Sequence, residues 1–575
     1  MIRVRIRPAM SPRLGAVAAL AVVIVLAGAT PAFAHATLLT TEPQPGGKLA
    51  TSPRAITLRF SEPVEVALGG IRLFDGSGDR VVIGKPEHPN HDGNRVRASV
   101  PNLDDGTYVV TWRVTSEDAH PVQGAFTFQV GGKGSVKNAG ALAKRLLANQ
   151  GGSTAVGIVY ASTRAVIFAS LALLIGGVVF LAVVFPQGRD ARRARMLVWA
   201  GWIGTVVATV AGIALEGVYA SALSLTSVFD ASVFGDVLET RYGRVSIVRL
   251  LVLAGAYPVL RVLLRRREGG EVALPRMWWL AAGAVGLGLS VTPGLAGHAA
   301  SGDHVALAIP ADAVHVLGMA CWLGGLVMLV AVVLVRTDPQ ELRQGIGRYS
   351  AIALGAIVAL VVTGAFQAWR QVGSFSALRD TDYGNLLIAK LVVFAALIVA
   401  AAFSREIVNR RFRPAPVDDD VADPEEDDDE TEVRRLRRSV VAELVIAVGV
   451  LVVTAMLVNA APARTVQTAP ISMTLKSRQV WVDVVIAPGL AGPNDVHITA
   501  LPIGDTITKV EDMSAQLVRP GSDLAPFDLP LQNFGPGHSV ASLYDIPYSG
   551  EWRMVVRVRL GATDEVVLTG KFTVR

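Results

Sequence analysis

Eight apolar stretches dominate this chain, at about 156–185, 196–219, 245–264, 277–296, 309–335, 349–369, 385–403 and 439–460. Each is long enough to cross a hydrocarbon layer of about 30 Å as a helix. A segment inside lipid must satisfy its own backbone N–H and C=O groups, and a single segment does so by being helical. Small residues recur within these stretches, as at Gly176-Gly177 and Gly324-Gly325, and they permit close helix packing in lipid. With 51% hydrophobic and 18% charged residues over 575 positions, the chain is too apolar for an ordinary soluble protein. The stretches predict a polytopic α-helical membrane domain of eight transmembrane helices over 155–460.

Basic residues orient the spans. Arg189, Arg192, Arg193 and Arg195 follow the first, and Arg261, Arg265, Arg266, Arg267 and Arg276 follow the third. Arg336, Arg343 and Arg348 follow the fifth, and Arg410, Arg411, Arg413, Arg434, Arg435, Arg437 and Arg438 follow the seventh. The alternate loops are poor in Arg and Lys, so the basic loops are expected on the cytoplasmic side. Topology thus accounts for much of the net charge of +6, and no nucleic-acid partner is expected. The last cytoplasmic loop, 404–438, carries Asp418 to Asp420 and Glu425 to Glu430, and reads as a solvated charged segment rather than a cation tether.

The ends of the chain differ from its middle. Arg3, Arg5, Arg7 and Arg13 precede an apolar run from Leu14 to Ala29, then Ala32 and Ala34, which is the form of a secretory signal over 1–34. Cleavage after Ala34 makes His35 the mature N-terminus, whose α-amine and imidazole together can chelate one metal ion. Residues 35–131 hold short alternating stretches such as Ile56 to Phe60, Tyr108 to Val114 and Phe126 to Val130, separated by Gly, Pro and Asp. They predict a β-sandwich, and 132–154 reads as a linker. Residues 465–575 repeat that texture (Val480 to Ile486, Val496 to Ala500, Trp552 to Val558) with Pro-Gly turns, and predict a second sandwich of immunoglobulin-like type. Eight spans return the C-terminus to the side of the N-terminus, so both sandwiches are expected outside the cytoplasm.

An internal echo runs through the membrane part. Glu239 to Arg249 resembles Asp380 to Lys390, and Leu174 to Gly177 resembles Trp322 to Gly325. Both pairs lie four spans apart, which predicts a parallel duplication.

The candidate chemistry rests on histidine. The nine are His35, His88, His91, His120, His298, His304, His315, His497 and His538, and the expected topology puts all of them outside or in the outer half of the membrane. Asp118 and His120, in Ser116 to Phe126, sit two apart and face one side if extended; His120-Pro121 marks a turn. With His35 they supply an amine, two imidazoles and a carboxylate, a tetragonal N,O set of the kind Cu(II) prefers. His88 and His91 read as solvated loop residues rather than an accessory site. Within the spans, His315 and Met319 are one helical turn apart with Trp322 at i+7, on one face, and His315 lies about 9 Å inside the fifth span. An intramembrane histidine is costly and points to function. His298, His304, His315, Met319 and Cys321 are therefore a candidate membrane copper site, Met and Cys favouring Cu(I). Cys321 is the one cysteine, so no intramolecular disulfide forms.

The stretches His35 to Leu39, Pro43 to Lys48, Leu58 to Val64, Gly106 to Ser116 and Asp118 to Gly124 resemble the periplasmic copper-binding CopC family. The resemblance implies Cu(II) bound by His35, Asp118 and His120, with Glu62 as a supporting group beside them. A Met-rich Cu(I) site is not expected, since 35–131 contains no Met. Gly297 to Ala299, Asp312 to His315, Trp322 to Gly325, Thr363 to Phe366 and Tyr383 to Lys390 resemble the CopD copper-resistance membrane family over 155–460, which implies copper movement at the membrane. Pro488 to Asn494 and Gly550 to Trp552 resemble a YtkA-like or FixH-like module.

The function expected is copper binding outside the cell and copper transfer into or across the cytoplasmic membrane, with copper and the lipid bilayer as partners and other extracytoplasmic copper proteins as candidates. No Walker A sequence accompanies it. Two other classes compete. An enzyme of the histidine-brace oxidase or monooxygenase type would need the position Asp118 fills left open for oxygen. A haem-binding electron carrier would need histidines paired across facing helices, for which His298 and His315 are the candidates.

Overall fold

The computed structural model describes residues 36–574 except 37, 45–46, 117–120, 132–141, 144, 147–152, 266–274, 303, 336–338, 412–425, 465–470, 488, 503–509, 523, 536 and 562–563. The N-terminal region is a two-sheet sandwich. Strands β1 (Leu38–Glu42), β3 (Ala55–Phe60) and β6 (Arg95–Ser99) form one sheet. Strands β2 (Lys48–Leu49), β4 (Val64–Phe74), β5 (Arg80–Val81), β7 (Gly106–Ser116) and β8 (Pro121–Val130) form the other, in the order β2-β8-β7-β4-β5. Alternation places Ile56, Leu58 and Phe60 from one sheet against Val110, Trp112, Phe126 and Phe128 from the other. Phe60 meets Trp112 edge-on, with ring centroids 5.3 Å apart.

Among the described residues, eight helices are long and apolar enough to cross a membrane: Thr154–Val184, Arg192–Ala220, Arg241–Leu263, Arg276–Leu295, Val305–Val333, Gly345–Val372, Asp382–Glu406 and Arg434–Asn459. The count and order are those expected. Spans one and five carry matching π-helical turns, Ala172–Gly176 and Ala320–Gly324, and pack against each other there. The duplication extends to spans three and seven. Each follows a short helix (Ala231–Glu239, Phe375–Asp380) and begins at a threonine cap. Gly243 N–H donates to Thr240 Oγ1 at 3.1 Å, and Gly384 N–H to Thr381 Oγ1 at 3.0 Å.

The C-terminal region is a second sandwich. One sheet holds β9 (Ile471–Lys476), β10 (Val480–Ala487), β11 (Gly492–Pro502), β14 (Gln532–Gly535) and β15 (His538–Ile546), in the order β14-β15-β11-β10-β9. The other holds β12 (Asp512–Val518), β13 (Phe527–Asp528), β16 (Gly550–Arg559) and β17 (Glu565–Val574), in the order β13-β12-β16-β17. Val482, Val484, Val496 and Ile498 pack against Leu517, Trp552, Met554 and Val556. Trp552 Nε1–H donates to the Tyr548 carbonyl at 2.9 Å, so the buried indole keeps a partner.

Candidate functional site

His35, Asp118 and His120 lie outside the described residues, but their chain neighbours are fixed by strand register. In the β1/β3 pair Leu38 faces Phe60, so the beginning of β1 lies at the end of β3. Two residues beyond Phe60 comes Glu62, and Val64 opens β4 opposite Ser116, the last residue of β7. Thr115 in turn faces Pro121, the first residue of β8. The start of β1, Glu62 and the mouth of the β7–β8 connection therefore share one end of the sandwich. Ala36 is buried in the core at that end.

Glu62 is half-buried, with its Oε1 out of solvent. His88 and His91 flank a tight turn in which Asn90 and His91 both have positive φ. His88 Nδ1–H donates to the Arg95 carbonyl at 2.7 Å, a loop-closing role. Among the described residues no three His, Cys, Asp or Glu side chains converge on one point. Gly124, in the Asp118 to Gly124 motif, serves packing: it faces Trp112 across β7/β8, and a Cβ there would stand 2.5 Å from the indole.

The membrane candidates separate into a deep group and a peripheral one. His304 is exposed, with φ +57°, at the start of span five, its ring 5.8 Å from that of Trp369. His298 lies in the turn His298–Ala300 after span four, and its carbonyl accepts from Arg370 at 2.7 Å; Arg370 also donates to the Ser301 carbonyl. His315 is deeper than expected, because span five begins at Val305 and ten residues of helix, about 15 Å, precede it. Its Nδ1 lies 2.9 Å from Thr363 Oγ1 on span six. Thr363 already donates its proton to the Ala359 carbonyl at 2.6 Å, so His315 donates through Nδ1 and keeps its lone pair on Nε2. Met319, one turn on, packs against the hydrophobic core of the bundle, and Cys321 is half-buried in the π turn. Trp322, within that turn, is buried, its ring edge-on to Phe394 of span seven at 6.0 Å.

Sequence reading missed the polar groups that the fold gathers around this stretch. Asp312, one turn before His315, accepts from Gln367 Nε2 at 3.1 Å and lies against Gly294, where a Cβ would stand 2.7 Å from its Oδ2. Lys390 on span seven is close enough for its charge to act on both Asp312 and His315. The first half of the bundle holds a matching polar group. Arg164 donates to Tyr160 Oη at 2.8 Å, Tyr160 donates to Glu216, and Arg249 Nε donates to Thr292 Oγ1 at 2.8 Å. The spacing that relates Gly176 to Gly324 also relates Arg164 to Asp312 and Ile167 to His315. Likewise, the spacing from Thr240 to Thr381 relates Arg249 to Lys390. The second half thus has a carboxylate where the first has a guanidinium, and an imidazole where the first has an alkyl group.

Comparison with known proteins matches residues 38–131 to the CopC domain, 154–308 to the copper resistance protein D-like N-terminal domain and 343–457 to copper resistance protein D. The copper transport protein CutJ of Bacillus subtilis (strain 168) is 26% identical over 381 residues, 64% of this chain and 67% of that protein. Protein YobA of Escherichia coli (strain K12) is 31% identical over 99 residues, 17% of this chain and 80% of its own. The crystal structure of CopC from Methylosinus trichosporium OB3b is 33% identical, covers 17% of this chain and 93% of its own, and has a TM-score of 0.16.

Proposed function

This chain belongs to the copper-resistance family that joins CopC and CopD domains, and we propose that it captures Cu(II) outside the cell and hands it to its own membrane helices. The reading follows the donor chemistry. His35 offers an amine and an imidazole, His120 an imidazole and Asp118 a carboxylate, four donors that fill a tetragonal Cu(II) plane. Glu62 stands beside them as a hydrogen-bonding support. The single observation that carries the reading is the strand register that brings the start of β1, Glu62 and the β7–β8 connection to one end of the sandwich.

In the membrane, His315 is the acceptor, through the Nε2 lone pair that Thr363 leaves available. His298 and His304 stand on the approach to it, and Met319 and Cys321 add sulfur donors on the same span. The charges of Asp312 and Lys390 set the local field an incoming cation meets. In this reading the protein is a binding and transfer protein, not an enzyme. Both sandwiches face the extracytoplasmic side, where other copper proteins can exchange the ion.

The test is Cu(II) titration of the purified full-length protein, read by electron paramagnetic resonance. His35→Ala, and an alanine inserted between Ala34 and His35, each remove a chelating nitrogen and are expected to abolish the tight signal. Unchanged affinity in both would refute the assignment. Cellular copper content with and without the protein, at low and high external copper, then gives the direction of transfer.

A further inference from the structure

The C-terminal sandwich carries two histidines that neither the capture site nor the membrane site uses. Along β11 the residues Val496, Ile498 and Ala500 point into the core, so His497 and Thr499 lie on the opposite face of the sheet. Strand β15 pairs with β11 so that Thr499 faces His538 and His497 faces Val540. His497 and His538 are thereby diagonal neighbours, both half-buried. Their ring centroids are 5.7 Å apart, with 29° between the planes. His538 Nδ1 lies 3.0 Å from Thr499 Oγ1, which orients that ring and directs its Nε2 away from the threonine. Neither ring nitrogen of His497 has a hydrogen-bond partner among the described residues.

We propose that His497 and His538 form a second copper site, an open bis-imidazole site on the outer face of the C-terminal sandwich. Imidazole nitrogen binds a late first-row metal at about 2.0–2.1 Å, which puts each ring centroid about 3.2 Å from the ion. Two rings sharing one ion then have centroids between about 4.5 Å, at a right angle, and about 6.4 Å, in line. The observed 5.7 Å falls inside that interval. Rotation of the His497 ring about χ2, a soft torsion in histidine, can turn one of its nitrogens toward the side of His538 that carries Nε2, which Thr499 holds in place. Burial lowers the pKa of each imidazole and so favours the neutral form that binds a metal ion.

The rest of the face defines what kind of site this is. Asp495, the nearest carboxylate along β11, accepts the Leu543 N–H at 2.8 Å and is committed to the β11/β15 pairing. With two protein ligands, the remaining coordination positions are open to water or to an incoming donor. Such a site holds its ion loosely and exchanges it, as a relay between a tight capture site and another carrier would. Among divalent ions, nitrogen ligands bind Cu(II) most strongly.

The test uses the full-length protein in detergent with His35→Ala and His120→Ala, so that the N-terminal site is silent. Cu(II) bound per chain is then measured by equilibrium dialysis and electron paramagnetic resonance. His497→Gln and His538→Gln are each expected to remove one bound Cu(II), with the thermal unfolding profile unchanged. Thr499→Val keeps both rings and is expected to weaken binding about 10-fold or more, the usual effect of removing a group that orients a ligand. Equal copper stoichiometry across the parent and both histidine variants would overturn the site, as would equal affinity in Thr499→Val. Failure of the N-terminal assignment would show separately, as tight binding that survives in the parent of this series.

Discussion

Gly176 and Gly324 meet backbone to backbone where spans one and five cross. A Cβ on Gly176 would overlap the Ala320 carbonyl, and a Cβ on Gly324 would overlap the Ala172 carbonyl. The contact is reciprocal, and each glycine closes a π-helical turn, so the crossing is the centre of the duplication. Because backbone rather than a flexible side chain stands in the way, Gly176→Ala and Gly324→Ala are each expected to cost about 3 kcal/mol, the upper part of the usual overpacking range. The double variant is expected to cost less than the sum, since both substitutions open one contact. Gly283→Ala, where a Cβ meets nothing within 4 Å, is the control and is expected to be neutral or slightly stabilising. Thermal unfolding in detergent, followed by tryptophan fluorescence, checks all four.

The threonine caps give a milder test of the same duplication. Thr240 and Thr381 each accept the N–H three residues on and donate to a carbonyl of the preceding short helix, Val237 and Ala377, at 2.6 Å. Thr240→Ala and Thr381→Ala are expected to destabilise by about 1 kcal/mol each. Unequal losses would mean that the two halves tolerate fraying differently. Losses near zero in both would show that the caps do not hold the span ends.

Gly124 separates packing from ligation within one motif. It faces Trp112, and the indole fills the space a side chain would need. Gly124→Ala is expected to destabilise the N-terminal sandwich by about 1–3 kcal/mol. Below the unfolding temperature its Cu(II) affinity is expected to match that of the parent. A variant of normal stability and lost affinity would instead put Gly124 in the copper site.

Much of this architecture was legible in the sequence, and what was not has a physical cause. The eight spans were plain because lipid demands an unbroken apolar helix, and strands such as Val480 to Ile486 because one buried face imposes alternation. The relation of Thr240 to Thr381 was visible because a cap and a glycine are needed at the same place in each half. The π turn at Ala320–Gly324 left no mark in the residue pattern. Lys390 stood in a recognised stretch, but its nearness to His315 depends on spans five and seven being neighbours. The His497/His538 pair depends on β15 lying beside β11, which no local spacing encodes.

The Thr363 hydroxyl fixes the tautomer of His315, and this can be tested apart from folding. Thr363→Val removes the acceptor while conserving volume, and frees His315 to carry its proton on either nitrogen. Copper transfer is expected to fall about 10-fold, the lower part of the range for losing a group that orients a ligand. Thr363→Ser keeps the hydroxyl and is expected to retain transfer. His315→Asn is expected to abolish it, with Cu(II) binding at the N-terminal domain unchanged. Loss in Thr363→Ser equal to that in Thr363→Val would show that the methyl group, not the hydrogen bond, matters.

Asp483 makes the C-terminal sandwich sensitive to pH in a direction opposite to the usual carboxylate. Burial raises its pKa above the ordinary value of 3.8, and the Thr474 hydroxyl, donating at 2.6 Å, and the charge of Lys476 offset part of that rise. The folded state therefore holds the proton more tightly than the unfolded chain. The resulting stability is fully present below the unfolded value and is lost as pH rises through the folded one. Asp483→Asn, which keeps an acceptor for Thr474, is expected to raise the unfolding temperature of this sandwich at pH 7. The gain is expected to shrink toward pH 4, as the parent carboxyl takes up its proton. Calorimetry at the two values decides it: a variant less stable than the parent at both would show that the ionised carboxylate is a favourable partner of Thr474 and Lys476, with no net penalty from burial.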